Sequence, residues 1–496
     1  MRDVLFHVER GGHSSIQSQI RKMLVSAILA GQLPSGEPLP SSRRMAMTLG
    51  VSRNTVILAY QALVDDGYLQ SRERSGFFVD DTIRDGLPPA TPDADVDRDE
   101  HISEIDWDAR FRMRPGRQSN LNKPSAWQSY PYPFIYGQVD QGLFPIAAWR
   151  ECSRQALGRK GMDTWTSDAF TLDDPMLIEQ IRTRLLPRRG IMVAENNILV
   201  TLGAQNALYM LASLLMRPDT VVGMEEPGYP DVRNIVGLKT DHIRPIPVDS
   251  EGLPIDGALE GCAYLYTTPS HQFPTTVTMP LARRHQLLAE AHRRDLVIIE
   301  DDYEFETNYV SEPTPALKSL DKDDRVIYVG SLSKTLFPGL RLGYVVGASA
   351  LIDEMRALRR LMLRHPPNNN QRTTALFLAL GHHDSLIHKL HKAYRARWEC
   401  MGAALARHLP NMSEAPSFGG TSFWVRGPDN LDADALAEQA LEEGVIIEPG
   451  GICFARDPAP RNYFRLGFSS IPLERIEPGV EILGRLIRDG AGRVKT

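Results

Sequence analysis

The chain has 496 residues, a formal net charge of -6 and a pI near 6.1. Its 42% hydrophobic and 24% charged content is that of a globular protein, and its length exceeds one compact core, so two or more domains are expected. The acidic balance excludes a polycation that coats nucleic acid indiscriminately, while a local basic face is still allowed.

At the N-terminus, Met1-Arg2-Asp3 opens without an apolar signal region, and the longest apolar runs, such as residues 208–216, are too short to span a bilayer. Neither export nor membrane insertion is expected. Cys152, Cys262, Cys400 and Cys453 are scattered without a CxxC pair, which fits reduced thiols in a cytoplasmic protein better than a disulfide frame or a metal site.

Ile16, Ile20, Met23, Leu24, Ala27 and Ile28 recur at helical spacing and stop before Gly31, predicting a helix over 16–30. A serine cap at Ser42 predicts a second helix over 43–49, ended by Gly50, and Ser52 caps a third over 53–66. After Gly67, residues 68–70 and 76–79 read as two short strands around a polar tip, a β-hairpin wing ending near Asp80. Composition then turns to Asp, Glu and Pro with almost no large apolar side chains, so burial cannot offset ordering entropy. An extended acidic linker over 81–127 is expected between a head at 1–80 and a large domain at 128–496. Within the latter, the β-rich runs 198–201, 221–224, 263–267, 296–300, 326–330 and 342–346 alternate with helical segments, the pattern of an α/β domain with a mainly parallel sheet.

In a helix-turn-helix the first residues of the second helix face base edges in the major groove. Here they are Ser52, Arg53, Asn54 and Thr55. Arg pairs bidentately with guanine, Asn with adenine, and Ser or Thr reaches phosphate or base. Arg21, Lys22, Arg43, Arg44 and Arg53 stand against Glu37 between positions 21 and 53, which supplies a local basic face. The motifs Leu39-Pro40-Ser41-Ser42-Arg43, residues 49–56 and Asp66-Gly67-Tyr68-Leu69 resemble the signature of GntR-type winged-helix regulators across residues 14–79. That resemblance implies contacts to a double-stranded operator by Arg43, by Ser52, Arg53, Asn54 and Thr55, and by the wing tip at Ser75 and Gly76.

Further along, Ser331-Leu332-Ser333-Lys334 follows one strand and Arg341 precedes the next, so an amine, two hydroxyls and a guanidinium meet at strand ends, where open α/β sheets bind ligands. Asp301 ends the strand at 296–300, with Tyr303 two residues on, on the same side of an extended chain. At Thr201-Leu202-Gly203-Ala204-Gln205 a strand gives way to a helix, a ready phosphate cradle. Tyr229 lies in a turn after another strand, where a ring can stack on a flat ligand. Alone, each of these is an ordinary surface turn. Together they resemble fold-type I aminotransferases, and in particular the MocR-type regulators that carry such a domain behind a GntR head.

The resemblance implies an α/β architecture: a winged helix-turn-helix plus an aminotransferase-like domain with a mainly parallel sheet and a smaller C-terminal α/β subdomain. It implies pyridoxal 5'-phosphate as cofactor, with Lys334 as Schiff-base lysine, Asp301 on the pyridine nitrogen, Tyr303 on the phenolic oxygen and Tyr229 stacked on the ring. Gly203, Ala204, Gln205, Ser331, Ser333 and Arg341 would form the phosphate cup. Arg465, in Asn462-Tyr463-Phe464-Arg465-Leu466-Gly467-Phe468, would hold the acid group of a small amino effector. A homodimer is implied, each head crossing to its partner's large domain. Two stretches depart from the enzymes: Ser270-His271-Gln272-Phe273-Pro274-Thr275-Thr276 stands where Asn-Pro-Thr-Gly is usual, and Phe170-Thr171-Leu172-Asp173-Asp174-Pro175 replaces a glycine-containing loop. The preferred reading is a ligand-sensing transcription regulator. The alternatives are a working aminotransferase carrying a DNA-binding head, and a plain repressor whose large domain only dimerises.

Overall fold

The computed structural model describes residues 7–9, 14–36, 38–73, 75–84, 105–168, 170–310, 314–413 and 419–493. Residues 85–104 of the expected linker lie outside them. The chain divides into two compact units, Met1–Arg110 and Phe111–Thr496.

In the first unit the helices Ile16–Leu29, Ser42–Leu49 and Arg53–Asp65 bury one apolar stripe each, with Ile20, Leu24, Val56, Tyr60 and Leu63 fully enclosed. Their starts are set by serine side chains: Ser15 Oγ accepts from Ser18 N, Ser41 Oγ from Arg44 N and Ser52 Oγ from Thr55 N. The second helix therefore begins one residue earlier than expected, because Ser41 rather than Ser42 is its cap. Gly50 ends it in the left-handed region at φ 63°, which a Cβ would disfavour. Leu69–Arg72 and Gly76–Val79 pair antiparallel as the wing, and Tyr60 Oη donates to Pro40 O, tying the third helix to the turn before the second.

In the second unit seven strands lie in the order Ile198–Thr201, Gly343–Val346, Val326–Ser331, Val297–Asp302, Tyr264–Thr267, Val222–Glu226 and Ile243–Pro247. All neighbours are parallel except those of Gly343–Val346, which runs antiparallel to both of its own. Helices cover both faces, so inner strands such as Val326–Ser331 and Gly343–Val346 are buried along their length and read as continuous apolar runs. Ile243–Pro247 escapes that pattern because it is an edge strand, where Pro245 and Pro247 cost no ladder bond.

A smaller antiparallel sheet, Ser422–Arg426, Tyr463–Gly467 and Glu448–Pro449, packs with the helices His382–His408 and Ile476–Arg493. Residues 111–127, assigned to the linker by composition, belong to this large unit. Gln118 Nε2 donates to Asn234 O at 3.0 Å and Asn234 Nδ2 to Ser119 O at 2.8 Å, so polar side chains hold a stretch that apolar burial could not. All four cysteines are free thiols. Among the described residues no helix is long and apolar enough to cross a membrane.

Candidate functional site

On the first unit, Arg43, Ser52, Arg53 and Asn54 are exposed and Thr55 is half-buried, gathered where the second helix meets the start of the third. Ser52 Oγ is occupied as the cap and also lies 2.8 Å from Thr55 Oγ1, so these two hydroxyls fix the helix start. Arg53 Nε donates to Ser42 Oγ at 3.3 Å, which orients the guanidinium while leaving its other donors outward. At the wing, Ser75 and Gly76 are both exposed, Ser75 N donates to Arg72 O, and Gly76 adopts φ 107° to make the return.

In the second unit one cavity of about 250 Å3 is lined by every residue expected of the ligand site: Gly203, Ala204, Gln205, Tyr229, Asp301, Tyr303, Ser331, Ser333, Lys334, Arg341 and Arg465. They come from elements spread over more than half the chain: the large sheet brings most of them together at one side of its strands, and Arg465 arrives from the smaller antiparallel sheet. Ser331 Oγ accepts from Ser333 N, and Ser333 Oγ donates to Leu342 O. Arg341, at φ 52°, donates from Nη2 to Leu202 O and lies over Gly203, where an added Cβ would stand 3.2 Å from Nη2. Gly203 offers no side-chain cap to the helix Ala204–Leu215, so the first amides of that helix are left for an anion.

Lys334 Nζ sits 4.2 Å from the centre of the Tyr136 ring and would meet a Cβ at Gly137 at 2.9 Å. Shelter from bulk water pulls its pKa down to about 8, against the opposing pull of Glu304 nearby. Burial pushes the Asp301 carboxyl up to about 7. Tyr266 Oη donates to Asp301 Oδ2 at 2.8 Å, but Asp301 Oδ1 is buried without a hydrogen-bond partner. An unmet carboxylate oxygen on a cavity wall is costly unless a ligand donor completes it. Tyr303 Oη donates to His271 O at 2.9 Å, and Tyr229 Oη and Gln205 Nε2 both donate to Asp231 Oδ2. Arg465 is pinned to Glu448 Oε2 by Nε and Nη2, each at 2.8 Å, with its plane near the Tyr136 and Phe273 rings at 4.1 and 4.5 Å. Burial opposes its charge, but Glu448, Cys453 and Tyr136 together outweigh that and hold the guanidinium pKa above its usual value.

An anion cradle, a depressed amine, aromatic walls and a carboxylate awaiting a donor suit a flat, phosphorylated, cationic heterocycle that reacts with amines. Sequence reading missed the cavity residues Tyr136, Gly137, Asp231, Tyr266 and Glu448, and also residues 121–123, which reach the cavity. Glu448 had a signal, a lone acid closing the apolar run Val445-Ile446-Ile447. Phe273, noted as a departure from the enzymes, proves to be a cavity wall.

Residues 154–483 match the aminotransferase class I and II family and residues 16–79 the gntR family of bacterial regulatory proteins. The chain is 42% identical to the HTH-type transcriptional regulator TauR of Rhodobacter capsulatus over 485 residues, 97% of this chain and 99% of that protein. It is 30% identical to the probable rhizopine catabolism regulatory protein MocR of Rhizobium meliloti, covering 96% of this chain and 94% of that one. Among solved structures, the kynurenine aminotransferase of Pyrococcus horikoshii superposes with a TM-score of 0.71 at 26% identity, over 78% of this chain and 99% of that chain. The α-aminoadipate aminotransferase LysN of Thermus thermophilus, complexed with N-(5'-phosphopyridoxyl)-L-leucine, gives 0.70 at 27% identity over 78% and 99%. The chain thus belongs to the MocR-type transcriptional regulators, in which a GntR-type winged helix-turn-helix head is joined to an α/β domain of the aminotransferase class I and II fold.

Proposed function

We propose that this regulator binds pyridoxal 5'-phosphate in the large-unit cavity, senses a small amino compound there, and changes the operator affinity of its heads in response. The observation that carries the reading is the meeting of the Lys334 amine and the unpartnered Asp301 Oδ1 in one cavity. When bound, the cofactor supplies an aldehyde carbon that bonds covalently to a primary amine.

Lys334 Nζ is that amine in the resting protein, and its lowered pKa keeps a larger neutral, nucleophilic fraction near neutral pH. Asp301 Oδ1 accepts from the protonated ring nitrogen, which also removes the cost of its own isolation. Tyr229 would pack on the ring, and Tyr303, whose hydroxyl donates to His271 O, would serve the phenolic oxygen. Gly203, Ala204 and Gln205 at the helix start, with Ser331, Ser333 and Arg341, hold the phosphate. Arg465 takes the effector's acid group through the part of its guanidinium that Glu448 does not occupy.

For sensing, the effector must bind two states of the protein unequally; typical couplings of about 1–3 kcal/mol change operator affinity about 5- to 150-fold. Arg43, Ser52, Arg53, Asn54, Thr55 and the wing tip at Ser75 and Gly76 form the operator surface. The acting species is a cytoplasmic homodimer, each head reaching its partner's large unit, which sedimentation of the cofactor-loaded protein tests. A second reading, full transamination, draws on the same convergence of Lys334, Asp301 and Arg465. Conversion of an amino donor with a 2-oxo acid through many turnovers identifies it; a change in operator binding without turnover identifies the sensor.

The test is visible absorbance after adding the cofactor, expected in the wild-type protein and lost in Lys334→Ala, followed by operator titration of both. Operator binding that responds identically to amines in the two proteins contradicts the reading.

A further inference from the structure

We propose that Glu448 confines the pocket to amino compounds bearing a single acid group and rejects amino dicarboxylates. This names the effector class and rests on the reading of the cavity as an amine-sensing site.

Arg465 and Glu448 are register partners on adjacent strands of the small sheet. Nε of Arg465 donates to Glu448 Oε2 at 2.8 Å, Nη2 completes the ion pair at 2.8 Å from the same oxygen, and Glu448 Oε1 accepts from Tyr136 N at 3.3 Å. Two hydrogen bonds and the ion pair therefore fix the carboxylate, and swinging it aside would break them inside a site where both side chains are at most 10% exposed. The Arg465 guanidinium carbon lies 4.1 Å from the centre of the Tyr136 ring and 4.5 Å from that of Phe273, so the two rings flank it. What is left for a ligand is the Nη1 edge, enough for one acid group.

Among the described residues lining the cavity, a second acid group on the ligand finds no equivalent partner. Arg341 is held over Gly203 at the helix start, and Lys334 is committed to the amine chemistry. Lys123 reaches the cavity but is exposed, so water screens its charge. Meanwhile the second acid meets the fixed charge of Glu448, and beyond Tyr136 lies buried Glu304, whose Oε2 is 3.4 Å from Tyr136 Oη. Like charges brought together in a sheltered pocket reject a ligand more effectively than missing attraction does.

The experiment uses full-length protein loaded with pyridoxal 5'-phosphate and reads its visible absorbance during titration with L-alanine, β-alanine and L-aspartate. Aspartate differs from each of the other two by one carboxylate. In the wild-type protein at least one monoacid should perturb the spectrum at a concentration about tenfold or more below that of aspartate, and Glu448→Gln should narrow that gap to about threefold. The proposal is overturned if aspartate matches the monoacids in the wild-type protein, if no monoacid perturbs it, or if the gap persists in Glu448→Gln with its cofactor absorbance intact. A wild-type protein that acquires no cofactor absorbance at all contradicts the cofactor reading itself, before any effector is added.

Discussion

The exposed start of the head's third helix and the cavity of the large unit handle polar groups in opposite ways. At the start of the third helix, Ser52, Arg53 and Asn54 stand in water, and their hydrogen bonds reach no farther than neighbouring turns. In the cavity, Lys334, Asp301 and Arg465 are withdrawn from water, two with pKa values moved toward neutrality and one held by a buried counter-ion. The difference separates two kinds of recognition. A surface that reads a large polyanion gains by keeping its cations solvated and mobile until contact, whereas a site for covalent chemistry on a small molecule needs reactive groups set in advance.

The strongest way to break that contrast is to remove the amine. Lys334→Ala should abolish covalent cofactor attachment, read as loss of visible absorbance that survives gel filtration, while the head still folds. Titration of the same group sharpens it. Sheltered from water and set among Glu304, Arg465, Glu448 and Asp301, its ammonium is pulled from the ordinary 10.5 to about 8. Since only the neutral amine attacks, the rate of cofactor capture by the apoprotein should rise with pH to a midpoint near 8. The linked stability has the same sign: between about 8 and 10.5 the unfolded chain holds the proton that the folded one has released, so apoprotein stability should increase with pH across that window. A capture midpoint near 10 would mean that Lys334 is solvated like any surface lysine.

Smaller effects are expected at the head. Arg53→Ala should weaken operator binding by roughly 1–3 kcal/mol if it reads a base, and relax preference at one position; a uniform loss across sequences would mark a phosphate contact. Ser52→Ala removes the cap bond to Thr55 N and should cost about 1 kcal/mol of head stability, seen as a lower melting temperature of the head with cofactor absorbance unchanged.

The same contrast explains what was legible in the sequence. The apolar repeat from Ile16, the cap at Ser52, the stop at Gly50 and the wing are set by residues within a few positions of one another, so pattern and cap chemistry revealed them. The inner strands were equally plain, because burial on both faces leaves runs such as residues 326–330 almost wholly apolar. The edge strand Ile243–Pro247, with Arg244 and two prolines, carried no such mark. In the cavity, residues next to strand ends, such as Asp301, Lys334 and Gly203, were accessible through a family resemblance. Tyr136 and Glu448 were not, since they reach the cavity from segments more than 100 positions away from Asp301 and Lys334, and Asp231, two residues past Tyr229, joins the wall only through its bonds to Tyr229 and Gln205. The acidic composition near residue 108 also concealed that 118–120 are held by Asn234, a pairing between polar side chain and backbone that apolar patterning cannot register.

The central claim is that chemistry at Lys334 governs the operator affinity of the heads. Fluorescence anisotropy of a labelled operator fragment, titrated with cofactor-loaded wild-type protein with and without an amine that alters its absorbance, tests this most directly. The account predicts at least a fivefold amine-dependent change in affinity, at the lower end of typical couplings, and no such change in Lys334→Ala. Equal operator affinity of the wild-type protein in both conditions, despite a full spectral response, would contradict it.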